Sequence, residues 1–168
     1  MIRLTEKLAT PIAADACISL SIDQRIRSRL KVELDDGRSA GIFLPRGLIL
    51  RGGDCLRSDC GLIVEIKAQA ETLSCVYCDD PWLLARVSYH LGNRHVPLQI
   101  EPGWVRYQHD HVLDAMVEGL GLSVQVEQQP FEPEAGAYAS DASHSHSHSH
   151  SHSHSHEQDA EHPSHSKH

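Results

Sequence analysis

The chain has no surplus of positive charge. Its 168 residues carry 15 Lys and Arg against 23 Asp and Glu, a formal charge of −8. A nucleic-acid binder normally shows a basic footprint, so this balance argues against that class. No apolar run approaches the ~20 residues that cross a bilayer as a helix, which argues against a membrane protein. The first residues, MIRLTEKLATPIAADAC, lack the basic-then-apolar layout of a secretory signal. Cytoplasm is therefore the expected location. Cysteine is sparse. Cys17, Cys55, Cys60, Cys75 and Cys78 make an odd number without a dense framework, which suits reduced thiols.

Signatures of turnover are missing as well. Arg51-Gly52-Gly53-Asp54 is too short for a phosphate loop and lacks the following Lys-Ser/Thr. The acidic pairs Asp35-Asp36 and Asp79-Asp80 sit where a turn or a helix cap needs a short acidic side chain. No Ser-His-Asp or Cys-His arrangement has a supporting local motif. Cys75-Val76-Tyr77-Cys78 has CxxC spacing but falls on a predicted strand, where positions three apart face opposite sides. A redox or zinc pair needs a turn or a helix start. Cys55 and Cys60 flank a predicted turn across which they could approach one another. The expectation is a protein that is not an enzyme.

What is present divides into three parts. Residues 1–70 read as a small all-β domain, an open sandwich or barrel. Short or alternating apolar runs occur at Ile18–Ile22, Arg29–Leu34, Gly41–Leu44 and Leu62–Lys67, with no useful helical period. Asp35-Asp36-Gly37-Arg38 carries the Asp-Gly signal of a tight hairpin. Residues 71–135 change pattern. Leu73–Tyr77 reads as a strand, and Asp80-Pro81 as a cap with a first-turn proline. Leu83, Leu84, Val87 and Leu91 recur at helical spacing up to Gly92. Val96–Ile100 and Trp104–Tyr107 read as strands. Asp110 caps a second helix with inner stripe Val112, Leu113, Met116, Val117 and Leu120, and Leu122–Glu127 is a last strand. The order β-α-β-β-α-β is the ferredoxin-like arrangement, which makes the fold class α+β. Residues 136–168 have no apolar period and too little apolar surface to offset their ordering entropy, so a disordered His-rich tail is expected.

That tail carries the strongest chemical signal. Ten of the 14 histidines fall in the last 25 residues. His144, His146, His148, His150, His152, His154 and His156 alternate with serine, and His162, His165 and His168 follow. In an extended chain alternate side chains share a side at roughly 6–7 Å spacing, and a flexible chain folds several imidazoles around one cation. Imidazole suits Zn, Cu and Ni, so the tail by itself does not select a metal. The competing reading is a purification tag. Such tags are uninterrupted His runs, whereas this tract alternates, continues irregularly and is flanked by acidic residues.

A second cluster lies upstream. His90 falls inside the first helix and reads as an ordinary side chain. His95 follows that helix on a short, exposed connection, and His109 and His111 flank the cap of the second helix. Taken singly, each is more often a plain surface residue than a ligand.

Gly92-Asn93-Arg94-His95-Val96-Pro97-Leu98-Gln99 and Asp110-His111-Val112-Leu113, followed by Met116 and Gly121, resemble the signature of the urease accessory protein UreE family. Leu34-Asp35-Asp36-Gly37, Phe43-Leu44-Pro45-Arg46-Gly47 and Leu50-Arg51-Gly52-Gly53-Asp54 are similar to that family's first domain. The resemblance implies a peptide-binding-like β domain joined to a ferredoxin-like metal domain, in a homodimer. It implies that His95 from each subunit holds one Ni(II) across the two-fold axis, with His109, His111 and tail histidines as auxiliary ligands. It further implies delivery of nickel to apo-urease through the urease accessory GTPase. A closed two-fold interface presents the same residue twice, so one histidine per chain supplies a symmetric pair of ligands. Two imidazoles from each chain leave positions open on a six-coordinate ion, as a carrier requires for release. Neutral imidazole is the ligand, so affinity falls as pH drops through the ordinary His range near ~6.5.

The competing function is a His-rich nickel or zinc store without a delivery partner. A peptide-binding co-chaperone built on residues 1–70 is a further reading. Zn(II) and Cu(II) remain open as alternative ions. A hydrolytic metalloenzyme ranks last, because a His-only site without a nearby carboxylate base is a poor hydrolase.

Overall fold

A computed structural model describes residues 1–136. The expected disorder of the His-rich tail lies, apart from Gly136, outside the described residues. The chain begins with β1 (Ile2–Lys7), β2 (Ala16–Leu20), α1 (Ile22–Arg25), β3 (Arg29–Glu33), β4 (Ser39–Phe43), β5 (Cys55–Ser58) and β6 (Ile63–Ala68). These strands form one mixed sheet in the order β2-β6-β5-β1-β4-β3, in which β1/β4 and β2/β6 are parallel. Period-2 alternation explains the faces. Val32 of β3 and Ile42 of β4 turn inward, while Arg29, Lys31 and Glu33 turn out. Every strand contributes to one core that includes Leu4, Ile18, Val32, Ile42, Leu56 and Ile66. The sheet curls far enough for its two outer strands to approach. The Asp35 N–H donates to the Cys17 carbonyl at 2.9 Å, and the Ser19 N–H to Asp35 Oδ1 at 3.0 Å.

Two sequence expectations are corrected here. The apolar patterning misses β1 and β5, whose runs are interrupted by charged residues that face solvent. The expected strand Ile18–Ile22 stops at Leu20, and Ile22 opens the short helix α1. Its start is stabilised locally, since Gln24 Oε1 accepts from the Ser21 N–H at 3.0 Å. The Asp-Gly hairpin forms as read. Gly37 takes φ +85°, which a residue with a Cβ rarely adopts, and its N–H donates to the Leu34 carbonyl at 2.8 Å.

The second half runs β7 (Ala70–Tyr77), α2 (Pro81–Gly92), β8 (Gln99–Glu101), β9 (Trp104–Gln108), α3 (His111–Gly119) and β10 (Gln125–Pro130). The sheet order is β10-β7-β9-β8, antiparallel throughout. Asp80 Oδ1 accepts from the Trp82 N–H at 2.8 Å to start α2, with Pro81 in its first turn. One sheet face, with Val76, Val105 and Tyr107, packs against Val87, Leu91, Leu113 and Val117 of the helices. The expected strand Val96–Ile100 is cut back to β8. Pro97 has no N–H for a ladder, and His95 turns the chain with φ +57°. The last strand starts at Gln125 rather than Leu122. Gly121 at φ +87° redirects the chain, and Leu122 and Val124 pack on the helix-side core instead.

The other face of the second sheet joins the two halves. Leu73 and Cys75 of β7 pack with Phe131 and Ile22. Phe131 to Glu134 form a strap across this junction. The Arg25 side chain, with 0 % exposure, donates through Nη1 to Glu132 Oε1 at 2.7 Å and to the Leu50 carbonyl at 3.1 Å, and through Nη2 to the Phe131 carbonyl. Glu132 also accepts from the Gly52 N–H at 3.1 Å and from Arg51 at 3.4 Å. Burial pulls the Arg25 guanidinium down from its ordinary pKa, and the neighbouring Glu132 opposes that pull.

Arg25 is fully buried whereas the Glu132 side chain is 29 % exposed, so removing the carboxylate leaves the buried charge without its partner. Glu132→Ala is therefore expected to destabilise the fold by about 3 kcal/mol in urea unfolding. Arg25→Met combined with Glu132→Ala should recover most of that loss, because no unpaired charge remains. A double variant as unstable as Glu132→Ala would refute the account.

Candidate metal site

The register places the two upstream histidine segments at one end of the second sheet. Gln99 lies opposite Arg106, so the chain before Gln99 and the chain after Arg106 leave the sheet on the same side. The first carries His95 and the second carries His109, Asp110 and His111. His95 is exposed, and it is the one residue other than glycine with positive φ among those described. The Arg94 N–H donates to the Leu91 carbonyl at 3.1 Å and the His95 N–H to the Gly92 carbonyl at 2.9 Å. The end of α2 thus wraps tightly and turns His95 off the helix axis. The left-handed conformation is uncommon for a residue with a Cβ and concentrates at functional sites.

His95 stands on the wall of a groove of about 530 Å³ between the two halves of the chain. Ile22, Ile26 and Ile49 form one side, and Val96, Pro97 and Leu98 the other. Gln108, the residue before His109, also lines it. Pro133 and Glu134 of the strap line the groove as well. Glu134 N–H donates to the Leu98 carbonyl at 2.6 Å, and Gln99 Oε1 accepts from both the Glu132 N–H and Arg106 Nε at 2.9 Å.

His109 is held from behind. Its Nδ1 lies 3.2 Å from Asp114 Oδ2 and 3.0 Å from Ser74 Oγ. A carboxylate only accepts, so the Asp114 contact puts the proton on Nδ1 and leaves the Nε2 lone pair for a ligand role. Asp114 is itself fixed by the Tyr107 hydroxyl, which donates to Oδ1 at 2.7 Å. Burial, then the bond to Asp114, pushes the Tyr107 phenol well above its ordinary pKa, so it remains a donor. Sequence reading did not find Tyr107, Asp114 or Ser74. The available signal was the spacing that puts Asp114 one helical turn after Asp110.

Asp110 caps α3. Its Oδ1 accepts from the Val112 N–H at 2.8 Å and the Leu113 N–H at 3.2 Å, which hold its pKa below the ordinary carboxylate value. His111 is exposed in the first turn of α3. His90 is half-buried and packs edge-on against Tyr89. Among the described residues, no three His, Cys, Asp or Glu side chains converge on a point that would hold an ion. His95, His109 and His111 therefore sit at one end of the domain without forming a closed cage within one chain. The tail histidines, His144 to His168, lie outside the described residues. Cys75 is buried with its thiol pKa raised, first by burial, and Cys78 donates to the Asp80 carbonyl beyond the strand end. Cys55 Sγ contacts the Ile12 carbonyl and Cys60 Sγ contacts Ser58, so these two do not face each other.

The family model described as "UreE urease accessory protein, N-terminal domain" matches residues 2–69, and the C-terminal domain model of the same family matches residues 71–157. The chain belongs to the UreE family of urease accessory proteins. Relatives named "Urease accessory protein UreE" agree. The protein of Tolumonas auensis (strain DSM 9187) is 60% identical over 147 residues, covering 84% of this chain and 78% of that one. The protein of Enterobacter sp. (strain 638) is 60% identical over 143 residues, covering 84% and 94%. That of Pseudomonas putida (strain W619) is 58% identical over 141 residues, covering 83% and 88%. The boundary between the two family domains falls at the linker into β7, where the second sheet begins.

The lowered Asp110 pKa has a consequence for the site. The cap is fully present above the unfolded carboxylate value near ~3.9 and is lost as pH falls through the lower folded value. The Val112 and Leu113 amide resonances should therefore shift together in an acid titration followed by NMR. Asp110→Asn, which keeps an accepting oxygen but does not titrate, should hold them in place. An unchanged acid transition in that variant would dissociate it from the cap.

Proposed function

We propose that the protein is a nickel metallochaperone, which binds Ni(II) as cargo and delivers it to apo-urease during assembly of the urease active site. In this reading it is not an enzyme. The observation that carries the reading is His95, exposed in a left-handed turn at the end of α2, in a chain that belongs to the UreE family. The reading divides the chain into a β domain of residues 1–70, a ferredoxin-like metal domain of residues 71–135 and a metal-binding tail of residues 136–168. The strand order β10-β7-β9-β8, with two helices on one face, supports the second of these.

The open geometry suits a carrier. Among the described residues one chain does not close a cage around an ion, and in this reading a second copy supplies the missing ligand, His95 from each subunit meeting across a two-fold axis. α2 supports that assembly. Trp82 and Tyr89 are 69 % and 68 % exposed at seven-residue spacing on the helix that precedes His95. His109 is preset by Asp114 to offer Nε2, and His111 lies one cap residue away, so both serve as auxiliary ligands. The tail histidines add weaker sites. The donor set is imidazole throughout, which accepts Zn(II) and Cu(II) as well as Ni(II). The partners are the urease accessory GTPase and, through it, the apo-urease complex. The location in this reading is the cytoplasm.

Calorimetric titration of the full chain with Ni(II) tests the assignment. His95→Ala is expected to remove the tight site, with at least about a hundredfold loss of affinity for a site built on that pair of ligands. Ending the chain at Gly136 should reduce the number of ions bound and leave one tight ion per dimer. Unchanged high-affinity binding in His95→Ala would overturn the role. The storage reading predicts that loaded protein with the GTPase activates apo-urease no better than the same amount of free nickel.

A further inference from the structure

Formal charge is divided unevenly along the chain. Residues 2–69 hold 11 Lys and Arg against 9 Asp and Glu, a balance of +2, whereas residues 70–168 hold 4 against 14, a balance of −10. Within the first part the cations fall into two groups. Lys7, Arg25, Arg38, Arg51, Arg57 and Lys67 each have a carboxylate oxygen within 4.0 Å. Arg3, Arg27, Arg29, Lys31 and Arg46 have none among the described residues, and all five are exposed.

The unpaired group is gathered in one place. The ladders set Arg29 opposite Phe43, Lys31 opposite Gly41 and Arg3 opposite Gly41, so these side chains share the outer face of β1, β4 and β3. Arg27 lies just before β3 and Arg46 just after β4. The floor of this face is apolar and flat. The Phe43 ring lies over the strand because Gly41 leaves room for it; a Cβ there would stand 2.8 Å from the ring edge. Arg3 covers that ring at 4.9 Å from its centroid. A hollow of about 250 Å³, lined by Met1, Arg29, Lys31 and Phe43, opens beside it. A second of about 310 Å³ shares Arg29 and includes Arg46. Glu33, at the far end of β3, is the carboxylate on this row.

We infer that this face is a docking surface for an acidic segment of a protein partner. Like charges gathered without internal partners repel one another, and a ligand carrying several carboxylates relieves that repulsion at each cation. The Phe43 floor and the two hollows accept the apolar parts of such a segment. Nucleic acid is the less favoured occupant, because the balance of −10 in the rest of the chain repels a long polyanion, whereas a short acidic segment engages this face alone. Edge charges that block strand pairing explain Arg29 and Lys31 on the outermost strand but not Arg3 and Arg46. The inference is independent of the metal site.

Fluorescence anisotropy of the full-length protein with labelled oligoglutamate tests it, at about pH 8 so that the tail imidazoles are neutral. Oligoglutamate should bind at about 50 mM salt and weaken steeply by about 300 mM, as exposed ion pairs are screened. Arg29→Glu with Lys31→Glu should weaken binding by at least about tenfold. Lys67→Glu, three strands from β4, should leave it unchanged. Arg29→Gln with Lys31→Gln, which removes charge without reversing it, should give a smaller loss in the same direction should the reversal disturb the sheet. Absence of oligoglutamate binding at low salt, equal binding by the Arg29/Lys31 variants, or tighter binding of oligothymidine than of oligoglutamate would each overturn the inference.

Discussion

The junction between the two sheets depends on a guanidinium that has left water. Arg25 has no exposed surface, and a charge in that position persists only where acceptors replace its hydration. The strap supplies two of them, the Glu132 carboxylate and the Phe131 carbonyl, and Leu50 supplies the third. Because the strap also bonds to Leu98 and Gln99, the same residues that join the two halves hold the connection that follows His95. The apolar part is Phe131, which is completely buried against Leu73, Cys75 and Ile22. Burying such a ring contributes about 2–3 kcal/mol, so packing supplies the net stabilisation, while the ion pair satisfies a charge that the packing has buried.

From that junction the groove beside His95 follows. Its walls are apolar, and its rim carries a histidine whose backbone conformation is uncommon. The proposed nickel role asks the site to hold an ion without enclosing it. An arrangement in which one chain offers separated imidazoles, each supported by its own element, meets that demand better than a completed cage. The Tyr107, Asp114 and His109 chain shows how the fold prepares a single imidazole: a buried phenol orients a carboxylate, and the carboxylate selects the tautomer. The charge division adds a second level. Acidic character gathers in the half proposed to handle a cation, and within the first half the cations without a carboxylate partner among the described residues gather on the outer face of β1, β4 and β3.

Much of the second half was legible in the residues. Asp80 with Pro81, and Asp110 before an apolar stripe, are local signals, and both helices start where those signals stand. The Asp-Gly hairpin is local for the same reason. The short helix α1 was not legible, since four residues are too few for a period. Nor were β1 and β5, whose apolar positions alternate with charges that pair across strands, as Arg57 does with Glu6. The extent of β8 was overread because the apolar run Val96–Ile100 counts residues whose backbone Pro97 and His95 divert. At the site, His95, His109 and His111 stood out by type and spacing, but the supporting Asp114 and Tyr107 did not, because an acidic residue on a helix has many uses.

The sequence by itself determined what depends on neighbours along the chain: the caps, the turns, the periodicities, the histidine content and, through its ordered motifs, the family. Only the tertiary structure decided which faces meet. Arg25 and Glu132 stand 107 residues apart, and nothing in either local context announces the other. Contacts of that kind arise when apolar faces are buried together and the polar groups trapped beside them must find partners, so they follow from the whole packing.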